Sequence, residues 1–88
     1  MKKTINGENM FTKYRAYQEI KSSMNLKSFY GNNLDALWDV LTTISEPTEV
    51  EILNKEALIG ALESYGESIL EVFKEASEEN KNLIWINN

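Results

Sequence analysis

SEPTEVEIL, residues 45–53, is the stretch on which the fold class turns. The chain's one proline, Pro47, sits in the turn SEPT, and TEVEIL then alternates polar and apolar side chains, placing Val50 and Ile52 on one face as a strand does. On both sides of it the period becomes helical. Upstream, Leu34, Leu37, Trp38 and Leu41 recur at i, i+3, i+4 and i+7, with Asn32 and Asn33 supplying cap chemistry and an end around Thr43. Downstream, Ala57, Leu58, Ala61 and Leu62 predict a short helix that Asn54 caps and Gly66 ends or separates from the next. That next helix carries Ile69, Val72, Phe73 and Ala76 and runs to near Asn80.

Further out, the lysine pair and TIN at positions 2 to 6 read as a first strand ending at Gly7. Tyr14, Tyr17, Ile20 and Met24 mark a helix from about Tyr14 to Met24, with Thr12 as its N-cap. The closing LIWIN, residues 83–87, is the continuous apolar run expected of a strand covered on both faces. Strand, two helices, strand, two helices, strand is an α/β order, and helical crossovers imply parallel pairing. The expectation is one small α/β domain over residues 1–88, a three-stranded parallel sheet packed with about four helices.

Composition narrows the chemistry. Hydrophobic residues at 42% and charged residues at 26% are ordinary globular usage. The chain contains no cysteine and no histidine, which excludes disulfides, thiolate nucleophiles, most transition-metal sites and the commonest general base. No cofactor and no metal site is expected. Fourteen acidic against nine basic residues give a net charge of -5, which disfavours direct contact with nucleic acid and favours a basic protein partner. MKKTINGENM lacks a signal-peptide core and no window has the length of a membrane span, so a cytoplasmic location with no membrane contact is expected.

One feature of the second helix stands apart from this frame. Asp35 and Asp39 lie one turn apart, and with Thr42 they occupy the flank beside Trp38. Like charges at i, i+4 cost an isolated helix about 0.2 to 0.5 kcal/mol, and no lysine or arginine in that helix relieves them. Asp35 near the N-terminus is favoured by the helix dipole, and the plainest reading of Asp39 is solvated surface, although the dipole does not account for a carboxylate in the middle of the helix. A catalytic carboxylate pair needs a cleft, which one exposed helical face does not make. A recognition surface needs no cleft: carboxylates enter a cationic pocket of another protein, with Phe29, Tyr30 and Trp38 as aromatic anchors or, alternatively, as core. Gly31 and Asn33 serve either the turn and cap or close backbone approach by a partner.

YGNNLDALWDVL, residues 30–41, resembles the barstar family of intracellular inhibitors of secreted bacterial ribonucleases. KK and ING near the start, the proline before the second strand, and GESILEVFKEA, residues 66–76, extend the resemblance over almost the whole chain. It implies a non-enzyme whose second helix and preceding loop plug a ribonuclease active site. Asp39 would then be the phosphate mimic and Asp35 its acidic neighbour. Phe29, Tyr30, Gly31, Asn33, Leu34, Ala36, Trp38 and Thr42 would surround them, and Glu75 would add an acidic contact from the fourth helix. The implied partner is a basic, extracellular-type, barnase-like ribonuclease bound by an inhibitor that is a monomer when free. Phe29 stands where the family has a tyrosine that reaches the enzyme, and Thr43 and Ile44 replace a Gly-Trp pair. The alternative is an interaction or immunity module on the same scaffold, binding another basic protein or toxin.

Overall fold

The computed structural model describes residues 1–27, 29 and 31–86. Its elements follow the expected order: β1 (Lys2–Asn6), α1 (Lys13–Met24), α2 (Leu34–Thr42), β2 (Thr48–Leu53), α3 (Lys55–Leu62), α4 (Ser64–Glu79) and β3 (Leu83–Ile86). A 3-10 turn at Gly7–Asn9 follows β1. The three strands pair in parallel in the order β1-β2-β3, so β2 is central.

Both crossovers advance in the same direction across this sheet, and the right-handed rule therefore lays both helix pairs on one face. Burial agrees. Ile5, Val50, Ile52 and Leu83 point into the core, whereas Thr4, Glu49, Leu53 at 41% exposure and Ile84 at 48% lie on the other face. The expectation that the last strand is covered on both faces is thus corrected. It is an edge strand with one apolar side exposed, and Asn87 lies outside the described residues.

Thr12 caps α1 as its sequence predicts, its Oγ1 accepting the Arg15 amide hydrogen at 3.0 Å. The buried stripe of α1 is Ala16, Tyr17, Ile20 and Met24, while Tyr14 points to solvent. Tyr17 ties this helix to α4: its hydroxyl lies 2.5 Å from that of Tyr65. Burial pushes the Tyr17 phenol above its ordinary pKa, and the Tyr65 hydrogen bond pushes it further. Tyr17 therefore stays neutral and bonded across the usual pH range.

Two further readings change at the α3 boundaries. Asn54 adopts a left-handed backbone conformation and makes no side-chain cap; its Nδ2 instead donates to Asn6 Oδ1 at 2.9 Å, joining the ends of β2 and β1. Gly66 does not end a helix. It is buried inside α4, where an added Cβ would stand 2.9 Å from the Leu58 carbonyl oxygen, so its role is close packing of α4 on α3.

The break between α3 and α4 falls on Glu63, at φ 54° and ψ -126°, a region suited to glycine. Replacing Glu63 by Gly is expected to stabilise the fold by about 1 kcal/mol through relief of backbone strain. Urea denaturation would show a higher midpoint at unchanged slope. A lower midpoint would mean that the exposed Glu63 side chain itself holds the junction.

Candidate functional site

The orientation of α2 follows from its two innermost residues. Leu37 and Leu41 are fully buried, and at about 100° per residue Asp39 lies roughly 160° around the helix from each. Asp35 and Asp39 are accordingly exposed. Among the described residues neither carboxylate has an ion pair or a hydrogen-bond partner.

Both ends of this helix are tied down. At the start, Asn33 Oδ1 accepts the Ala36 amide hydrogen at 2.8 Å, the predicted cap. Gly31 packs beneath it so closely that an added Cβ would stand 2.5 Å from the Ala36 Cβ. At the far end, Asn80 Nδ2 donates to the carbonyl oxygens of Leu41 and Ile44, each at 3.0 Å, and Asn82 Nδ2 reaches Ile44 O at 3.3 Å. These bonds satisfy carbonyls that a helix terminus otherwise leaves open, and they come from the end of α4, 36 to 39 residues away in sequence.

The remaining expected residues divide clearly. Leu34, Ala36, Trp38 and Thr42 are half-buried around the two aspartates, with Thr42 Oγ1 donating to Trp38 O at 2.8 Å. Gly31 is half-exposed and Asn33 exposed at the N-terminal edge of the same face. Glu75 is exposed on α4, which packs against α2. Phe29 requires correction as a surface anchor: it is buried, meeting Tyr17 edge-on at 5.9 Å between ring centroids, with the Lys21 ammonium 5.3 Å from its ring centre. Its ring belongs to the core, and a hydroxyl-free ring suits that position. Tyr30 lies outside the described residues.

Sequence reasoning missed Asn80. Nothing in the local pattern distinguishes it from any asparagine at a helix end, because its partners are two distant carbonyls. Among the described residues no group of three or more metal-ligating side chains is present, and no helix is long and apolar enough to cross a membrane. The arrangement is a convex, uncompensated anionic ridge with a half-buried tryptophan at its side, suited to accepting hydrogen bonds from cations.

The comparisons with known proteins converge. The family model described as Barstar (barnase inhibitor) matches residues 1–87. "Putative ribonuclease inhibitor YrdF" of Bacillus subtilis (strain 168) is 39% identical over 67 residues, which is 75% of this chain and 74% of that protein.

The Asn80 clamp is testable without any partner. Asn80→Ala removes the side-chain bond to Leu41 O and leaves Ile44 O only the longer one from Asn82, and is expected to cost about 1 to 3 kcal/mol. Amide hydrogen exchange should accelerate in the last turn of α2 more than in the sheet. Equal protection in both would show that Asn80 does not hold the helix end.

Proposed function

Since the chain belongs to the Barstar family, described as inhibitors of barnase, we propose that it inhibits a basic, barnase-like bacterial ribonuclease by inserting the exposed face of α2 into the enzyme's active site. The observation that carries this reading is the pair Asp35 and Asp39, exposed, one turn apart and without a cation of their own. A ribonuclease binds phosphates with arginine and lysine, and carboxylates offer those cations the same charge-assisted hydrogen bonds. Asp39 at the centre of the helix substitutes for a phosphate, and Asp35 lies beside it.

The surrounding residues shape the contact. Trp38, Leu34 and Ala36 supply half-buried apolar area at its border, Gly31 and Asn33 bring backbone close to the partner, and Thr42 and Glu75 complete the polar rim. Tyr30 stays in the proposed set on the strength of the sequence motif. Phe29 leaves it, because its ring is core. The chain acts as a stoichiometric inhibitor rather than an enzyme, holding the ribonuclease inactive in the cytoplasm.

An RNA cleavage assay with barnase at low salt, comparing the wild-type chain with Asp39→Ala, tests this. The substitution is expected to weaken inhibition by at least about 30-fold, because it leaves the enzyme's phosphate-binding cations unpaired in the complex. Thermal unfolding should be nearly unchanged, because an exposed member of a like-charge pair has been removed. Equal inhibition by both would remove Asp39 from the site, and inhibition by neither would point to a different basic partner.

The association rate is expected to fall steeply with salt, because exposed charges are screened beyond about 10 Å at 0.1 M and about 3 Å at 1 M. Stopped-flow mixing across that range measures it. A salt-independent rate would contradict steering by the acidic face.

A further inference from the structure

Asn80 ties the far end of α2 to the end of α4, and the start of α4 reaches the near end of α2 through a chain of three rings. Tyr65 stands in the first turn of α4, and its hydroxyl meets that of Tyr17 on α1 at 2.5 Å. The two rings meet edge-on with centroids 6.5 Å apart, and Tyr17 in turn meets Phe29 edge-on at 5.9 Å. A lysine of α1 flanks each end of the chain. The Lys13 ammonium lies 4.3 Å from the centre of the Tyr65 ring, and that of Lys21 5.3 Å from the centre of the Phe29 ring.

Phe29 joins the loop before α2 to that chain. Among the described residues from Asn25 to Asn33 it is the one that is buried, and among them Lys27, Phe29, Gly31 and Asn32 make no hydrogen bond. Gly31 follows two residues later, within about 7 Å of chain, and lies against Ala36 in the first turn of α2. A movement of the Phe29 ring therefore reaches Gly31 and Asn33, whereas Asp39, oriented by Leu37 and Leu41, keeps its place. The ring depends on Tyr17, which is fully buried and whose hydroxyl has Tyr65 as its partner. Without that partner the hydroxyl would be a buried polar group left unpaired, and the Tyr17 ring would turn away from Phe29 to find another.

We infer that Tyr17 and Tyr65 are positioning residues for partner recognition: their hydroxyl pair fixes the Tyr17 ring, which fixes Phe29 and, through it, the edge of the inhibitory face formed by Gly31 and Asn33. The inference rests on the proposed inhibitor function. It gives α4 both ends of that face, Tyr65 holding the loop edge and Asn80 the far end, about 22 Å apart along the helix at 1.5 Å per residue. The two supports hold different things. Asn80 secures the helix that carries Asp39, whereas the tyrosine pair holds backbone that meets a partner closely, and a preformed edge loses less freedom on binding.

Equilibrium binding to barnase, with amide hydrogen exchange on the free chain, tests this using Tyr65→Phe, the double variant Tyr17→Phe/Tyr65→Phe, Phe29→Leu and Asp39→Ala alongside wild type. Stoichiometric titration against barnase corrects each for inactive protein. Tyr65→Phe should raise the dissociation constant about three- to tenfold and speed exchange at Gly31 and Asn32 more than in α2. The double variant leaves no hydroxyl unpaired and should return both to within about twofold of wild type. Phe29→Leu reaches the same loop without touching a hydroxyl and should weaken binding at least as much as Tyr65→Phe. A dissociation constant unchanged in Tyr65→Phe and Phe29→Leu, with only the thermal midpoint lowered, shows a purely structural role and overturns the inference; Asp39→Ala still weakening the complex then leaves the acidic site standing. A double variant that does not recover also overturns it, because the route then does not run through the Tyr17 hydroxyl. An Asp39→Ala chain that binds like wild type, or a wild type that does not bind, overturns the site reading and the inference with it.

Discussion

The burial of Leu37 and Leu41 is the constraint on which the proposed inhibitory surface depends. A nine-residue helix has little stability of its own, since isolated helices shorter than about 12 to 15 residues are marginal in water. Packing therefore decides where it points. With two leucines inward, the period of 3.6 leaves Asp39 no orientation but outward. Asn33 at one end and Asn80 at the other then stop the helix from fraying or turning, so the aspartates stand on a support tied to the loop before it and to α4 behind it.

This arrangement leaves two like charges together with no cation to relieve them. Locally that is a small cost, well within the stability of a small domain, which is only about 5 to 15 kcal/mol in total. In the proposed complex the cost is recovered when the partner's cations complete the pair. Exposure matters here, because carboxylates that are already in water on a preformed helix need no refolding before they meet a partner. In the proposed function the charge serves approach and specificity more than the fold, while the fold fixes its position.

Much of this was legible in the residues. Val50 and Ile52 alternating in TEVEIL, the i, i+3, i+4 stripe of α2, and the caps Thr12 and Asn33 each express a local rule, and each holds in the structure. What escaped was tertiary. Phe29 before a cap reads equally as anchor or core, and only the neighbouring Tyr17 ring decides it. LIWIN carried no sign of being an edge strand, because strand order depends on both crossovers together. Gly66 and Asn54 carried their usual local meanings, yet close approach to Leu58 and a bond to Asn6 overrode them. The ridge itself was visible as a pair of aspartates, whereas the Asn80 bonds that hold it have no periodic signature.

The claim that matters most is that the α2 face occupies the place where the enzyme holds RNA phosphate. Competition between this chain and a 3′-phosphorylated mononucleotide for barnase measures that directly. If the two occupy one site, the apparent dissociation constant of the inhibitor should rise in proportion to nucleotide concentration once the nucleotide saturates, with no ternary complex detected. An inhibitor affinity indifferent to saturating nucleotide, or a stable complex of all three, would place the inhibitor elsewhere on the enzyme and contradict the account.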